Sequence, residues 1–155
     1  MALETTHTPG SAENGVKIVL RYLENRGIPT THQVFVDGSG VSRYNLTNAE
    51  TIIRVLEEMY RDQVNFPVFL GSLAVAGKDG TLAHRMGATP ADGKVMAKSG
   101  TMNGISALSG YVTTPLGEPL AFSIIIQNYA GSSTTAMEVQ DSICVLLSGF
   151  RNSDD

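Results

Sequence analysis

Lys98, Ser99, Gly100 and Thr101 stand together within KVMAKSGTMNG, residues 94–104. A cation followed by two hydroxyl residues offers donors suited to a carboxylate or a phosphate. The run itself reads as a strand. Glycine weakens a strand interior and usually marks the close approach of a ligand or another backbone. Side chains alternate across a strand, so Ser99 and Thr101 share one face and Lys98 and Gly100 the other. On one reading, Gly100 leaves space for a peptide-like ligand that pairs with the strand edge, its carboxylate held by the hydroxyls. On the other, Lys98 is a surface lysine whose stem covers apolar neighbours, next to an ordinary strand glycine. This stretch alone supports both.

Two further stretches carry polar groups at suggestive spacing. In VFVDGSGVSRYN (34–45), the Asp37–Gly40 segment is either a nest of backbone N–H groups for a phosphate or a tight turn. In the turn, Asp37 and Ser39 bond the local backbone. In AGKDGTLAHR (76–85), Asp79-Gly80 signals a turn. His7, His32 and His84 have no second histidine or cysteine at metal-ligand or dyad spacing, so they read as ordinary and neither a metal nor a cofactor is expected. Cys144 is the only cysteine, which excludes an intrachain disulfide and leaves the compartment open.

Three amphipathic helices are predicted to surround these stretches. In the first, Val16, Val19, Leu20 and Leu23 form one stripe, with Ser11 as N-cap and Gly27 at the left-handed C-terminal position. The second places Ile52, Val55, Leu56 and Met59 on one face behind a capping box of Thr47 and Glu50. The third puts Ala136, Val139, Ile143, Leu146 and Leu147 on one face, after a cap-rich run from Ser132 to Thr135. Between the second and third lie three predicted strands, 94–102, 105–113 and 118–129. Their links, Asn103-Gly104 and TPLG, are short enough to make neighbours antiparallel. A further short strand is expected at Val34–Val36. The predicted class is α+β: a three-stranded antiparallel meander plus a short strand, covered by helices.

The chain has 155 residues, 42% hydrophobic and 17% charged, which is globular composition for one domain with a real core. The expected organisation is a flexible segment at 1–10, the domain at 11–150 and a tail at 151–155. A net charge of -4 argues against a nucleic-acid partner, which would require a basic face. No apolar run reaches membrane-spanning length. MALETTHTPG shows no charged region followed by an apolar core, so no signal peptide is read there.

The segments DGSGVSRYN, LAVAGKDGTLAHR, KVMAKSGTMNGISALSGYV and LAFSIIIQN, in this order and spacing, resemble the C-terminal part of class C low-molecular-mass penicillin-binding D-alanyl-D-alanine carboxypeptidases, peptidase family S13. The resemblance runs from about Ser11 to the last helix. It implies a β-lactamase/transpeptidase-like fold whose Lys-Thr-Gly strand, here Lys98-Ser99-Gly100, edges the active site. It further implies that Lys98 lies in the catalytic cleft and supports proton transfer. The Ser99 and Thr101 hydroxyls would bind the terminal carboxylate of a D-Ala-D-Ala peptidoglycan peptide, or that of a β-lactam. The Thr101 backbone N–H would be an oxyanion donor, and Gly100 and Met102 would complete the substrate-binding strand. An extracytoplasmic, periplasmic location is implied as well.

The chain departs from the family pattern in two places. The residues three before Lys17, Lys78, Lys94 and Lys98 are Asn14, Val75, Ala91 and Val95, so no Ser-x-x-Lys exists. No asparagine has a serine two positions earlier. Both motifs lie upstream of the DGSG stretch in the family. The expectation is therefore a C-terminal portion of a serine carboxypeptidase, inactive alone, with the remainder of the parent enzyme as partner. A different class of protein, a non-catalytic module binding peptidoglycan or another protein, would use the same strand. A phosphate or nucleotide binder would use Asp37–Gly40 instead.

Overall fold

The structure is a computed structural model that describes residues 10–151. Nearly all of the 1–10 segment expected to be flexible, with His7, and nearly all of the 151–155 tail lie outside these residues. The chain forms two compact units, meeting in sequence between Glu58 and Met59.

In the first unit, α1 spans Ala12–Asn25 and α2 begins at Ala49, running on to Arg61. Ser11 caps α1 by accepting from Asn14 N–H at 3.1 Å. At the other end, Gly27 (φ 70°) takes the left-handed conformation. Gly27 N–H bonds Glu24 O and Ile28 N–H bonds Leu23 O, with Leu23 and Ile28 both buried. That paired closure, with its apolar contact, explains why α1 stops there. The cap of α2 differs from the expected Thr47 box: Asn48 Oδ1 accepts from Thr51 N–H at 2.8 Å. Asn48 stands one residue nearer the helix and takes the capping position itself. The expected strand at Val34–Val36 is also corrected. Only a single bridge, Val34 to Leu46, forms, because Val36 N–H turns to the Asn45 side chain at 2.8 Å.

The second unit holds α3 (Phe66–Gly71), β1 (Ala74–Val75), a 3-10 turn (Gly80–Leu82), β2 (Val95–Met102), β3 (Ile105–Thr113), β4 (Pro119–Gln127) and α4 (Ser133–Ser148). The strands form one antiparallel sheet in the order β1-β2-β3-β4. The predicted meander is therefore present, and the short fourth strand is β1. Two residues are too few to show period-two alternation, which is why β1 was illegible. In the register, Ala97 faces Gly110 and Gly110 faces Phe122. Leu82, Ala91, Val95, Ala97, Leu108, Val112, Phe122 and Cys144 form the core under one face. On the other face, Tyr111 meets Phe66 and Phe69 of α3 edge-on, a geometry suited to the ring quadrupoles.

The buried stripe of α4 differs from the one expected. Ala136, Gln140, Cys144 and Ser148 are buried, whereas Val139 and Leu146 are exposed. Counting apolar residues passes over Gln140, yet both its amide nitrogen and its amide oxygen are hydrogen-bonded. Its Nε2 donates to Ser106 Oγ at 3.0 Å and its Oε1 accepts from Arg85 at 3.1 Å. A polar group that keeps its hydrogen bonds can occupy a core position.

Candidate active site

Strand β2 forms because Val95 and Ala97 bury one face while its N-terminal half pairs on both sides. Beyond Ala97 the situation changes. β1 pairs only with Met96 and Ala97, whereas β3 accompanies β2 to Met102. Among the described residues, the Lys98–Met102 edge opposite β3 therefore has no strand against it. The bonding alternation fixes what this edge presents. Val95 O accepts from Ala76 N–H on the β1 side, and Lys94 O accepts from Thr113 N–H on the β3 side. Continuing that alternation turns the N–H and C=O groups of Ser99 and Thr101 to the open edge.

All five residues expected at the site lie on this segment. Lys98, Gly100 and Thr101 are exposed, and Ser99 and Met102 half-buried. Lys98 lies opposite Ser109, which lies opposite Ser123, so Lys98 shares a face with the hydroxyl pair that Ser109 and Ser123 form at 2.9 Å. Its Nζ donates to the carbonyl of Ser99 at 2.6 Å, curling over the open edge. Ser99 Oγ donates to Thr81 Oγ1 at 2.8 Å. A Cβ on Gly100 would meet only Ala107 Cβ, at 4.0 Å, so the chain's own packing does not require glycine there. Past Thr101, a cavity of about 310 Å³ is lined by Met102, Asn103, Gly104, Tyr129, Gly131 and Ser133.

The loop between β1 and β2 places Thr81, a residue the sequence did not single out, against Ser99. Asp79 Oδ1 accepts from Val75 N–H at 2.7 Å, fastening the turn to β1. Gly80 (φ 52°) packs so tightly on Ala74 that a Cβ would stand 2.9 Å from its methyl. Leu82 is fully buried. Farther on, Lys78 pairs with Asp92 at 2.9 Å. The hydrogen bond from Lys78, and then the Ala88 N–H, hold the Asp92 carboxyl below its ordinary value. The only sequence signal for this turn is Asp79-Gly80, which announces a turn and not what the turn holds.

The remaining chemistry-bearing residues lie elsewhere. Asp37 and Ser39 close on each other: Ser39 N–H and Oγ both donate to Asp37 Oδ1, at 3.0 and 2.7 Å. These bonds from Ser39 hold the Asp37 carboxyl below its usual value. Asp37–Gly40 is thus a side-chain-closed turn, with Ser39 N–H already used. His32 and His84 are exposed. Among the described residues, no three His, Cys, Asp or Glu side chains gather as a metal ion requires. No helix among them is long and apolar enough to cross a membrane.

The chain is similar to known proteins over nearly its whole length. A D-alanyl-D-alanine carboxypeptidase from Actinomadura sp. (strain R39) is 41% identical over 152 residues, covering 95% of this chain and 28% of the relative. Penicillin binding protein 4 (dacB) from Haemophilus influenzae superposes with a TM-score of 0.87 at 27% identity, over 96% of this chain and 35% of that one. The same protein complexed with a novel beta-lactam gives a TM-score of 0.86 at 28% identity, over 96% and 36%. The chain thus spans about a third or less of the length of these relatives. The family described as "D-Ala-D-Ala carboxypeptidase 3 (S13) family" matches residues 1–149, and the chain belongs to that family.

Proposed function

We propose that this chain supplies the lysine-strand side of the active site of an extracytoplasmic serine D-Ala-D-Ala carboxypeptidase, acting on peptidoglycan stem peptides and acylated by β-lactams. The carrying observation is the edge at Lys98–Met102: outward N–H and C=O groups at Ser99 and Thr101, hydroxyls beside them, and a glycine with no packing reason. An extended peptide ending in a carboxylate fits it by pairing with the strand. Lys98 supplies positive charge and proton-transfer support, and Ser99 and Thr101 hydroxyls bind the terminal carboxylate. The Thr101 N–H donates to the carbonyl oxygen as it becomes an oxyanion, an interaction worth about 3 kcal/mol in the transition state. The nucleophilic serine and its lysine come from sequence outside these 155 residues. The serine oxygen bonds to the carbonyl carbon of the penultimate D-Ala, the terminal D-Ala leaves as its protonated amine, and water later releases the acyl group.

The test is acylation by a fluorescent penicillin, read by denaturing electrophoresis. The full-length protein containing this chain should be labelled, and Lys98→Ala should lower the acylation rate by about 100-fold or more. The 155-residue chain alone should stay unlabelled. Label on the isolated chain, or unchanged acylation in Lys98→Ala, overturns the assignment.

A further inference from the structure

Thr81 is exposed at the surface, yet its neighbours on both sides are fixed, Gly80 against Ala74 and Leu82 in the core. It therefore presents a hydroxyl from a rigid turn, next to the strand edge where β1 ends. Its partner is the Ser99 hydroxyl, which donates to it at 2.8 Å. Among the described residues, Thr81's own hydroxyl proton has no acceptor, since that contact is the one hydrogen bond its side chain makes.

We infer that Thr81 is a positioning residue for the carboxylate clamp: it holds the Ser99 hydroxyl and feeds it a proton donor when a substrate carboxylate binds. This rests on the function proposed above. A hydroxyl has one proton and two acceptor sites. Without ligand, Ser99 spends its proton on Thr81. A carboxylate at the edge accepts only, so the Ser99 proton must turn to it. Ser99 Oγ then needs a donor, and Thr81 rotates its O–H to supply one. The resulting chain, Thr81 O–H to Ser99 O–H to carboxylate, strengthens each bond by polarising the next. No proton leaves its oxygen; two hydroxyls rotate.

The test measures β-lactam acylation of the full-length protein as apparent affinity and limiting acylation rate separately. Thr81→Val, close in shape but without the hydroxyl, should weaken apparent affinity about 5–10-fold, the size expected for one hydrogen bond. The limiting rate should change less than about 2-fold, since the hydroxyl acts on binding and not on the reacting carbonyl. Thr81→Ser should restore affinity. In a Ser99→Ala background, Thr81→Val should have no further effect. The loss should vanish with a β-lactam whose carboxylate is esterified. Thr81→Ala, free of the added methyl, should match Thr81→Val. Wild-type affinity in both hydroxyl-free variants overturns the inference, as does an equal loss with the ester or in Ser99→Ala. If those outcomes occur while Lys98→Ala still lowers the acylation rate by about 100-fold or more, only Thr81's role fails. If wild-type protein takes no label, the proposed function fails, and this inference with it.

Discussion

A Cβ on Gly110 would stand 2.1 Å from the Met96 carbonyl oxygen and 2.6 Å from Ala97 Cα. One on Gly100 meets only a methyl at 4.0 Å. Gly110→Ala should therefore force β2 and β3 apart and cost about 3 kcal/mol in urea unfolding of the isolated chain. Gly100→Ala should change stability by less than about 1 kcal/mol, so any effect on acylation of the full-length protein reports ligand approach. Cys144 gives a second test. Burial, then the Asp141 charge, pushes its thiol from 9.0 up to about 12, with Arg85 opposing. The folded value lies above the unfolded one, so the stability linked to this group is complete below pH 9 and is lost as pH rises toward 12. Tyr111, raised by burial from 10.0 to about 12, acts in the same direction between pH 10 and 12. Native chain should resist a maleimide at pH 7.5 and react once denatured. Stability should fall between pH 9 and 12, less steeply in Cys144→Ala.

The elements that carry strong local signals were legible in the sequence: α1 through Ser11 and Gly27, and the meander through its short turns. What failed depended on partners distant in sequence. The stripe of α4 was misplaced because Gln140 is buried through Ser106, 34 residues away, and Arg85, 55 away, and hydropathy does not register those bonds. Likewise, the lysine strand was found from its residue types, whereas Thr81 becomes visible only when the turn is folded beside Ser99. Arg85 is the joint that holds α4 in place. Its guanidinium bonds Asp141 at 2.7 Å, Gln140 at 3.1 Å and Met137 O at 3.3 Å, and its side chain is only 12% exposed. Arg85→Ala leaves a half-buried carboxylate and a buried amide oxygen without a donor, so it should cost about 2–4 kcal/mol. Arg85→Lys should recover less than half, since an ammonium cannot reproduce the planar fork. Denaturant melts of the three chains measure both.

At the scale of the whole chain, the two units differ in how much apolar surface each buries internally. Among described residues, the first unit's buried hydrophobic side chains are Leu23, Ile28 and Leu56, while Val19, Tyr22, Val34, Val36, Val41, Tyr44 and Leu46 remain exposed. The second unit holds the sheet and its contiguous core. Burial of apolar area is the main term opposing chain entropy, at about 25 cal/mol per Å², and local stability follows it. The first unit should therefore open at lower free energy than the second. In native-state hydrogen exchange, amides of α1 should exchange through a low-energy opening, and those of β2, β3 and α4 only through the largest one. Raising urea should unfold the chain in two steps, the first invisible to the Tyr111 environment and the second reported by it. A single cooperative transition, with α1 protected as strongly as β3, would show that the first unit draws its stability from the same core and that the two do not unfold separately.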